Sequence, residues 1–312
     1  MNIAILSAEC TKRNHRMKRA EEYVQARFEE LGHRTQILQI EHCAFYVSRE
    51  TKTYLAYRGL LIKELDLIIG PEIMIPEEQI VQRTILFDVM LRHFELTGTI
   101  IVNPWSQTSL LSNKLHAIAY LMSRGIPVPK TASVKNINGL PKVIHSIGGL
   151  PVILRRCNQK KPREMIVCES MRCLETWLDV AFDFEGGIFL QEYVPECDRE
   201  FTRVMVVDNI VVGCLRIQLR SQNSFECSRW TVQVIESPSK EIISLAKETI
   251  NIFGLVWGGV DIVQQSGRML VDNLAASPLI RTDFVCTDSS RLKEMEGAIV
   301  DEVVKAAVRR VV

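Results

Sequence analysis

No stretch of about 20 apolar residues occurs in the chain, so a membrane-spanning helix is not expected. The N-terminal MNIAILSAEC runs directly into a basic, polar segment, without the basic-then-apolar order of a secretory signal, and the chain reads as cytoplasmic. Paired metal or redox cysteines are missing too. The nine cysteines, at positions 10, 43, 157, 168, 173, 197, 214, 227 and 286, are odd in number and form no CxxC. Neither a disulfide framework nor structural zinc is expected, and most should be buried thiols. The six histidines show no HxH or HExxH spacing. An excess of one charge is also lacking: 38 Lys and Arg against 37 Asp and Glu leave a net charge of +1, which argues against a phosphate-backbone binder and a nucleic-acid partner. Internal repeats and low-complexity tracts are absent.

What is present is a folding composition, 47% hydrophobic and 24% charged over 312 residues, enough for two or three packed lobes. The first part alternates strands with helices. Strands are predicted over 2–8, 35–40, 66–70 and 99–103, with helices between 8 and 32 and over 77–96, and a hairpin-like stretch over 46–58. Strands separated by helices imply a parallel, doubly wound sheet, ending near Pro104. A helix over 109–124, closed by Gly125, leads into an extended IPVPKTASV, where two prolines forbid helix. A small α+β lobe follows, with strands over 151–156, 164–169 and 187–194 and helices over 142–147 and 171–184. From Glu200 come long strands (EFTRVMVV, IVVGCLRIQL, RWTVQVIE), a helix over 240–253, strands over 256–264 and 268–274, and a final helix over 290–312.

In that order MNIAILS, NPWSQTSLLSNKLHAIAYLMSRGIPVPKT, LPVILRR, IFLQEYV, GGVDIV and MLVDNLAASP resemble the RimK-type ATP-grasp carboxylate–amine ligases across nearly the whole chain. The resemblance implies an α/β fold with a doubly wound N-terminal domain (1–104), then a central lobe (105–194) and a C-terminal lobe (195–312) clasping ATP and Mg2+. It also implies an acyl-phosphate route to an amide, and a homo-oligomer.

On the same resemblance Lys114 and Arg155 match the phosphate cations, Arg155 standing where the family has lysine, with Arg156 on the opposite strand face. The backbone of Gln191, Glu192, Tyr193 and Val194 matches the strand that receives adenine. Phe201 stands at the acidic ribose position, one step from Glu200. Arg203 and Arg229 match cationic positions serving phosphate or substrate, and a further cationic patch is expected at Arg216. Asp261 matches a metal ligand. The other two metal positions fall on Asn273, a neutral ligand at best, and Ala275, which has no donor. Asp272 would point away from that face unless a bulge shifts the register. The phosphate-covering segment 157–165 has no glycine and contains Pro162, leaving Lys160, Lys161 and Arg163 as its only cations. Glu226, Trp230 and Thr231 replace an asparagine and two glycines. These departures lead to the expectation of a catalytically impaired scaffold acting as a binding or regulatory subunit. The alternative is an active ligase adding an amino acid such as glutamate to a cofactor, peptide or small metabolite carboxylate.

Overall fold

The computed structural model describes residues 1–7, 15–47, 54–62, 64–70, 85–133, 139–157, 165–181, 187–194, 200–220, 229–265, 267–276, 285–286 and 289–311. The first elements are β1 (Asn2–Ser7), α1 (His15–Glu30), β2 (Arg34–Gln39), β3 (Cys43–Tyr46), β4 (Tyr54–Tyr57), β5 (Leu60–Ile62), β6 (Leu67–Ile69), α2 (Ile85–Leu96) and β7 (Ile100–Val102). Strands β2, β1, β6 and β7 lie side by side, all parallel. Alternate residues of each strand face opposite sides, and a helix covers each side. Val24 and Phe28 of α1 pack with Ile3, Ile5 and Leu67, whereas Phe87, Met90 and Leu91 of α2 pack with Ala4, Leu6 and Ile68. This is the doubly wound sheet that the strand–helix alternation predicts. The stretch read as a hairpin is a separate antiparallel sheet of β3, β4 and β5.

Next come α3 (Trp105–Leu111), α4 (Lys114–Ser123), β8 (Thr131–Ser133), α5 (Leu140–Ser146), β9 (Val152–Arg156), β10 (Met165–Cys168), α6 (Met171–Ala181) and β11 (Ile188–Glu192). The single helix predicted over 109–124 is thus two helices, and the reason is Asn113. Its backbone is extended, and its side-chain oxygen accepts from the N–H groups of Leu115 at 3.0 Å and His116 at 3.2 Å, so it starts a new helix instead of continuing the old one. The antiparallel sheet runs β10-β9-β11-β8. One face, with Val152, Leu154, Ile188 and Leu190, is covered by α5 and α6 through Leu140, Ile144, Leu174 and Leu178. The other carries Ile153, Arg155, Phe189 and Gln191, and α4 packs on it where Ile118 meets Phe189 and Cys157.

The remainder is β12 (Glu200–Val207), β13 (Ile210–Arg220), β14 (Arg229–Val234), α7 (Lys240–Phe253), β15 (Trp257–Gln265), β16 (Arg268–Ala275), β17 (Val285–Cys286) and α8 (Ser289–Arg309). Its sheet is ordered β16-β15-β12-β13-β14-β17. Helix α7 begins at Ser239, whose hydroxyl accepts from the Ile242 N–H, and ends at Gly254, which takes a left-handed φ of 75° that glycine adopts without steric cost. It buries Leu245, Ala246, Ile250 and Phe253 with α4 against Val204, Val260 and Val271. The opposite face of the sheet packs on α8 and on α1, in a core that unites Ile3, Phe28, Met205, Trp257 and Val303. Beginning and end of the chain therefore share one core.

Asn103 pins this union. Its buried side chain accepts from the N–H groups of Val256 (2.8 Å) and Trp257 (3.0 Å) and donates to the carbonyls of Trp257 (2.9 Å) and Ala276 (3.3 Å). Among the described residues Cys43, Cys157, Cys168 and Cys214 are buried free thiols and Cys173 is half-buried. Among the described residues no helix is long and apolar enough to cross a membrane.

Candidate active site

The site lies between the face of the central sheet on which α4 packs and the edge of the C-terminal sheet. Its first wall comes from β9, β11 and the start of α4. Because Asn113 caps α4, Lys114 is the first residue of that helix, and its N–H donates to the Cys157 carbonyl at 2.7 Å, so the lysine stem is fixed beside the end of β9. Arg155, opposite Phe189 in the register, is only 4% exposed. Gln191, on the same face of β11, is 1% exposed. Two polar atoms of this wall, Arg155 Nε and Gln191 Oε1, are buried with no hydrogen-bond partner among the described residues. Such groups lose solvation without recompense unless water or a bound molecule meets them. The Gln191 amide donates weakly to Thr131 Oγ1, at 3.4 Å.

The second wall is a row across three neighbouring strands. Arg203 of β12 stands opposite Asp261 of β15, which stands opposite Asn273 of β16. Arg203 donates through Nε and Nη2 to the two Asp261 oxygens at 2.6 and 2.8 Å, and Asn273 Nδ2 donates to Asp261 Oδ2 at 3.1 Å. The planar guanidinium matches the carboxylate in a two-pronged, charge-assisted pair, and both partners are buried.

Between the walls sits Asp272. The register of β15 and β16 shifts there: Asp261 faces Asn273, but Ile262 faces Val271, so Asp272 is an extra residue. Val271 and Leu274 both pack into the core under α7, which leaves Asp272 and Asn273 together on the Asp261 face. The bulge thus satisfies the condition under which Asp272 joins the site. Its carboxylate accepts from Arg155 Nη2 at 3.0 Å and Nη1 at 3.4 Å, and Lys114 Nζ lies 3.7 Å away. Burial works against its charge, but the Arg155 guanidinium and the Lys114 ammonium outweigh it and hold the carboxyl below its ordinary value. Asp272 therefore ties β16 to β9 and α4 across the cleft.

Beside these charges lies an apolar patch, where Val194 after β11 meets Val263, Leu270 and Phe201. Phe201, at the position of the expected ribose acid, lines this patch. Glu200 alternates to the opposite face, where Arg216 Nε lies 3.1 Å away and Gln218 also reaches it. Arg216 faces Thr202 on the side of the sheet away from Arg203. Glu192 is committed to the backbone of Lys130, accepting its N–H at 2.9 Å while its own N–H meets the Lys130 carbonyl at 2.8 Å. Arg156 follows Arg155 on a regular strand and so faces the other side. Ala275 has no donor atom.

Of the sequence-predicted residues, the fold brings together Lys114, Arg155, Gln191, Val194, Arg203, Asp261 and Asn273. The backbone of Arg229 opens β14, opposite Arg220. Lys160, Lys161, Pro162, Arg163, Glu226, Ser277 and Pro278 lie outside the described residues. Sequence reasoning did not anticipate Asn103 as a tie between segments or Asn113 as the residue that aims Lys114. The signal for Asn113 was available, since Asn before KLHAIAYL is an N-cap pattern.

The donor set suits a magnesium ion arriving with a nucleotide. Among the described residues no group of three or more His, Cys, Asp or Glu could cage a metal. Two carboxylates and an amide on one face fit an ion that takes one or two protein carboxylates and completes its shell with phosphate and water.

Residues 111–291 match the model of the RimK-like ATP-grasp domain. A probable alpha-L-glutamate ligase of Aeromonas salmonicida is 26% identical over 316 residues, covering 99% of this chain and 98% of that protein. A RimK domain ATP-grasp protein from Sphaerobacter thermophilus superposes with a TM-score of 0.67 at 16% identity, over 99% of this chain and 100% of the other. The ATP-grasp ligase PsnB, in complex with a phosphomimetic variant of its minimal precursor, Mg and ADP, gives 0.66 at 16% identity, over 97% and 98% of the two chains. From the family match over more than half its length, the chain belongs to the RimK-like ATP-grasp family.

Proposed function

We propose that the protein is an ATP-dependent carboxylate–amine ligase that joins an amino acid such as glutamate to a carboxylate on a peptide, cofactor or small metabolite. The observation that carries the reading is the meeting of Lys114, Arg155 and Asp272 between the two walls, next to the Arg203–Asp261 pair. Lys114 and Arg155 supply fixed positive charge for a triphosphate, and the Val194–Phe201–Val263–Leu270 patch offers an apolar seat for a purine ring beside the Gln191 acceptor. A bound magnesium ion, held through Asp261, would neutralise charge on the phosphates.

The acceptor carboxylate attacks the γ-phosphorus and ADP leaves, giving an acyl phosphate. The amine then adds to the acyl carbon and phosphate departs, with the amine proton passing to solvent or to a base on the substrate. Arg203 is placed to stabilise negative charge that grows on the transferred phosphoryl group or on the tetrahedral oxyanion, while Asp261 keeps its guanidinium from rotating. Arg229, by its family match, is assigned to the substrate carboxylate.

The expectation of an impaired scaffold rested on four departures together: the phosphate-covering segment without glycine, arginine in place of lysine at Arg155, the metal positions at Asn273 and Ala275, and Trp230 and Thr231 in place of glycines. The bulge adds a carboxylate to the face of the metal positions, and curated relatives that span the chain are described as probable glutamate ligases, so the active reading is preferred. The test is ADP release and amide formation from Mg-ATP, glutamate and a panel of carboxylate acceptors. Acceptor-dependent turnover that Asp261→Ala removes is the expected result. Nucleotide binding without turnover, across acceptors on which the Aeromonas relative is active, would return the impaired scaffold.

A further inference from the structure

We propose that a cavity around Arg216, which stands on the side of the C-terminal sheet away from Arg203, is a second ligand site that takes a small amino dicarboxylate, a molecule with two carboxylates and one ammonium group. This site is separate from the cleft, and its assignment does not depend on the ligase reading.

The cavity measures about 530 Å³, within the range of small-molecule sites, and is lined by Arg216, Gln233, Val234, Ile235, Glu236 and Arg291. Arg216 of β13 stands opposite Gln233 of β14 in the ladder, residues 234–236 follow along the chain, and Arg291 comes from the first turn of α8. The lining is uneven in charge, with two guanidinium groups against the single carboxylate of Glu236. Glu200, which Arg216 Nε meets at 3.1 Å, belongs to β12 and lies outside the lining. Arg291 Nη1 meets Glu236 Oε1 at 2.7 Å. The side chains of these two ion pairs are between 43% and 68% exposed, and exposed pairs hold together weakly. A guanidinium in such a pair readily exchanges its partner for a ligand carboxylate, which its planar fork grips with two parallel hydrogen bonds. Once Arg291 turns to a ligand, Glu236 needs a cation in its place. The complement of the cavity is therefore two anionic groups for the arginines and an ammonium for Glu236, with Val234 and Ile235 beside the short carbon chain that joins them. Inorganic phosphate would satisfy the arginines but would set an anion against Glu236.

The experiment is calorimetric titration of the full-length protein, without nucleotide, with L-glutamate and with glutarate, the same dicarboxylate lacking the ammonium group. The wild type, Arg216→Ala, Arg291→Ala and Glu236→Gln are compared. The wild type should bind glutamate about tenfold more tightly than glutarate, the order of one charge-assisted contact. Each arginine variant should weaken glutamate binding by about tenfold or more. Glu236→Gln should bring the two ligands to equal affinity, with glutamate losing and glutarate gaining. The ratio of two affinities in one variant is insensitive to partial loss of folded protein, so a misfolding variant does not imitate this result. Glutamate affinity unchanged by Arg216→Ala, equal affinities for the two ligands in the wild type, or no glutamate binding at millimolar concentration would each overturn the proposal. Failure of the ligase reading shows instead as absent turnover and leaves these affinities as they are.

Discussion

The two walls of the cleft handle buried polarity in opposite ways. The wall from β9 and β11 leaves polar atoms without partners among the described residues, at Arg155 Nε and Gln191 Oε1. The wall from β12, β15 and β16 pairs its charges fully, with Asp261 gripped by Arg203 and Asn273. An unpaired neutral acceptor costs about 1–3 kcal/mol and can be kept where a ligand repays it, whereas an unpaired buried charge costs more and needs a resident partner. The first wall therefore has room for a further hydrogen-bonding partner, and the second is held by its internal ion pair.

The largest way to break this contrast is at the paired wall. Arg203→Ala leaves Asp261 buried and uncompensated, and should lower stability by about 3–5 kcal/mol in urea unfolding, with ligase turnover lost. Replacing both partners, Arg203→Met with Asp261→Leu, should recover most of that stability and none of the turnover. A double variant as unstable as the single one would show that the pair contributes more than mutual compensation.

The link between the walls gives a pH signature of intermediate size. The Asp272 carboxyl is held below its ordinary value of 3.8, so its contribution to stability is fully present above that value and is lost as pH falls through the depressed folded value. The stability difference between wild type and Asp272→Asn should be constant near neutrality and shrink on acidification below about 3.8, as read by unfolding midpoints across that range. A difference that grew with acid would mean that the carboxyl is held above its ordinary value.

The smallest expected effect sits on the other wall. Gln191→Leu removes a buried acceptor without a partner, so stability should stay unchanged or rise slightly. ADP affinity should fall by up to about tenfold, the worth of one hydrogen bond, as read by calorimetry. A drop in stability equal to the drop in affinity would place Gln191 in the core and outside the site.

Much of this was legible in the sequence. The alternation of strands and helices in the first hundred residues, the capped α7 and the ordered motif segments lead to the observed sheets and to Lys114, Arg155, Arg203 and Asp261. These depend on periodicity and residue type, which are local properties. What the sequence left open was decided by pairing between distant segments. Helix α4 starts at Lys114 because Asn113 caps it and Cys157 receives its first N–H. Arg216 faces away because Thr202 is its partner across the ladder.

Asp272 shows the division most clearly. The sequence by itself determined that an acid stands next to the motif asparagine, that regular alternation would turn it from the cleft, and that one extra residue would reverse its side. Only the tertiary structure decided the matter, because the register of β16 is set by burying Val271 and Leu274 beneath α7, side chains that β15 and α7 together must accommodate. A strand's own residues fix which neighbours alternate; which of them meets a given partner is fixed by the packing of the elements around it.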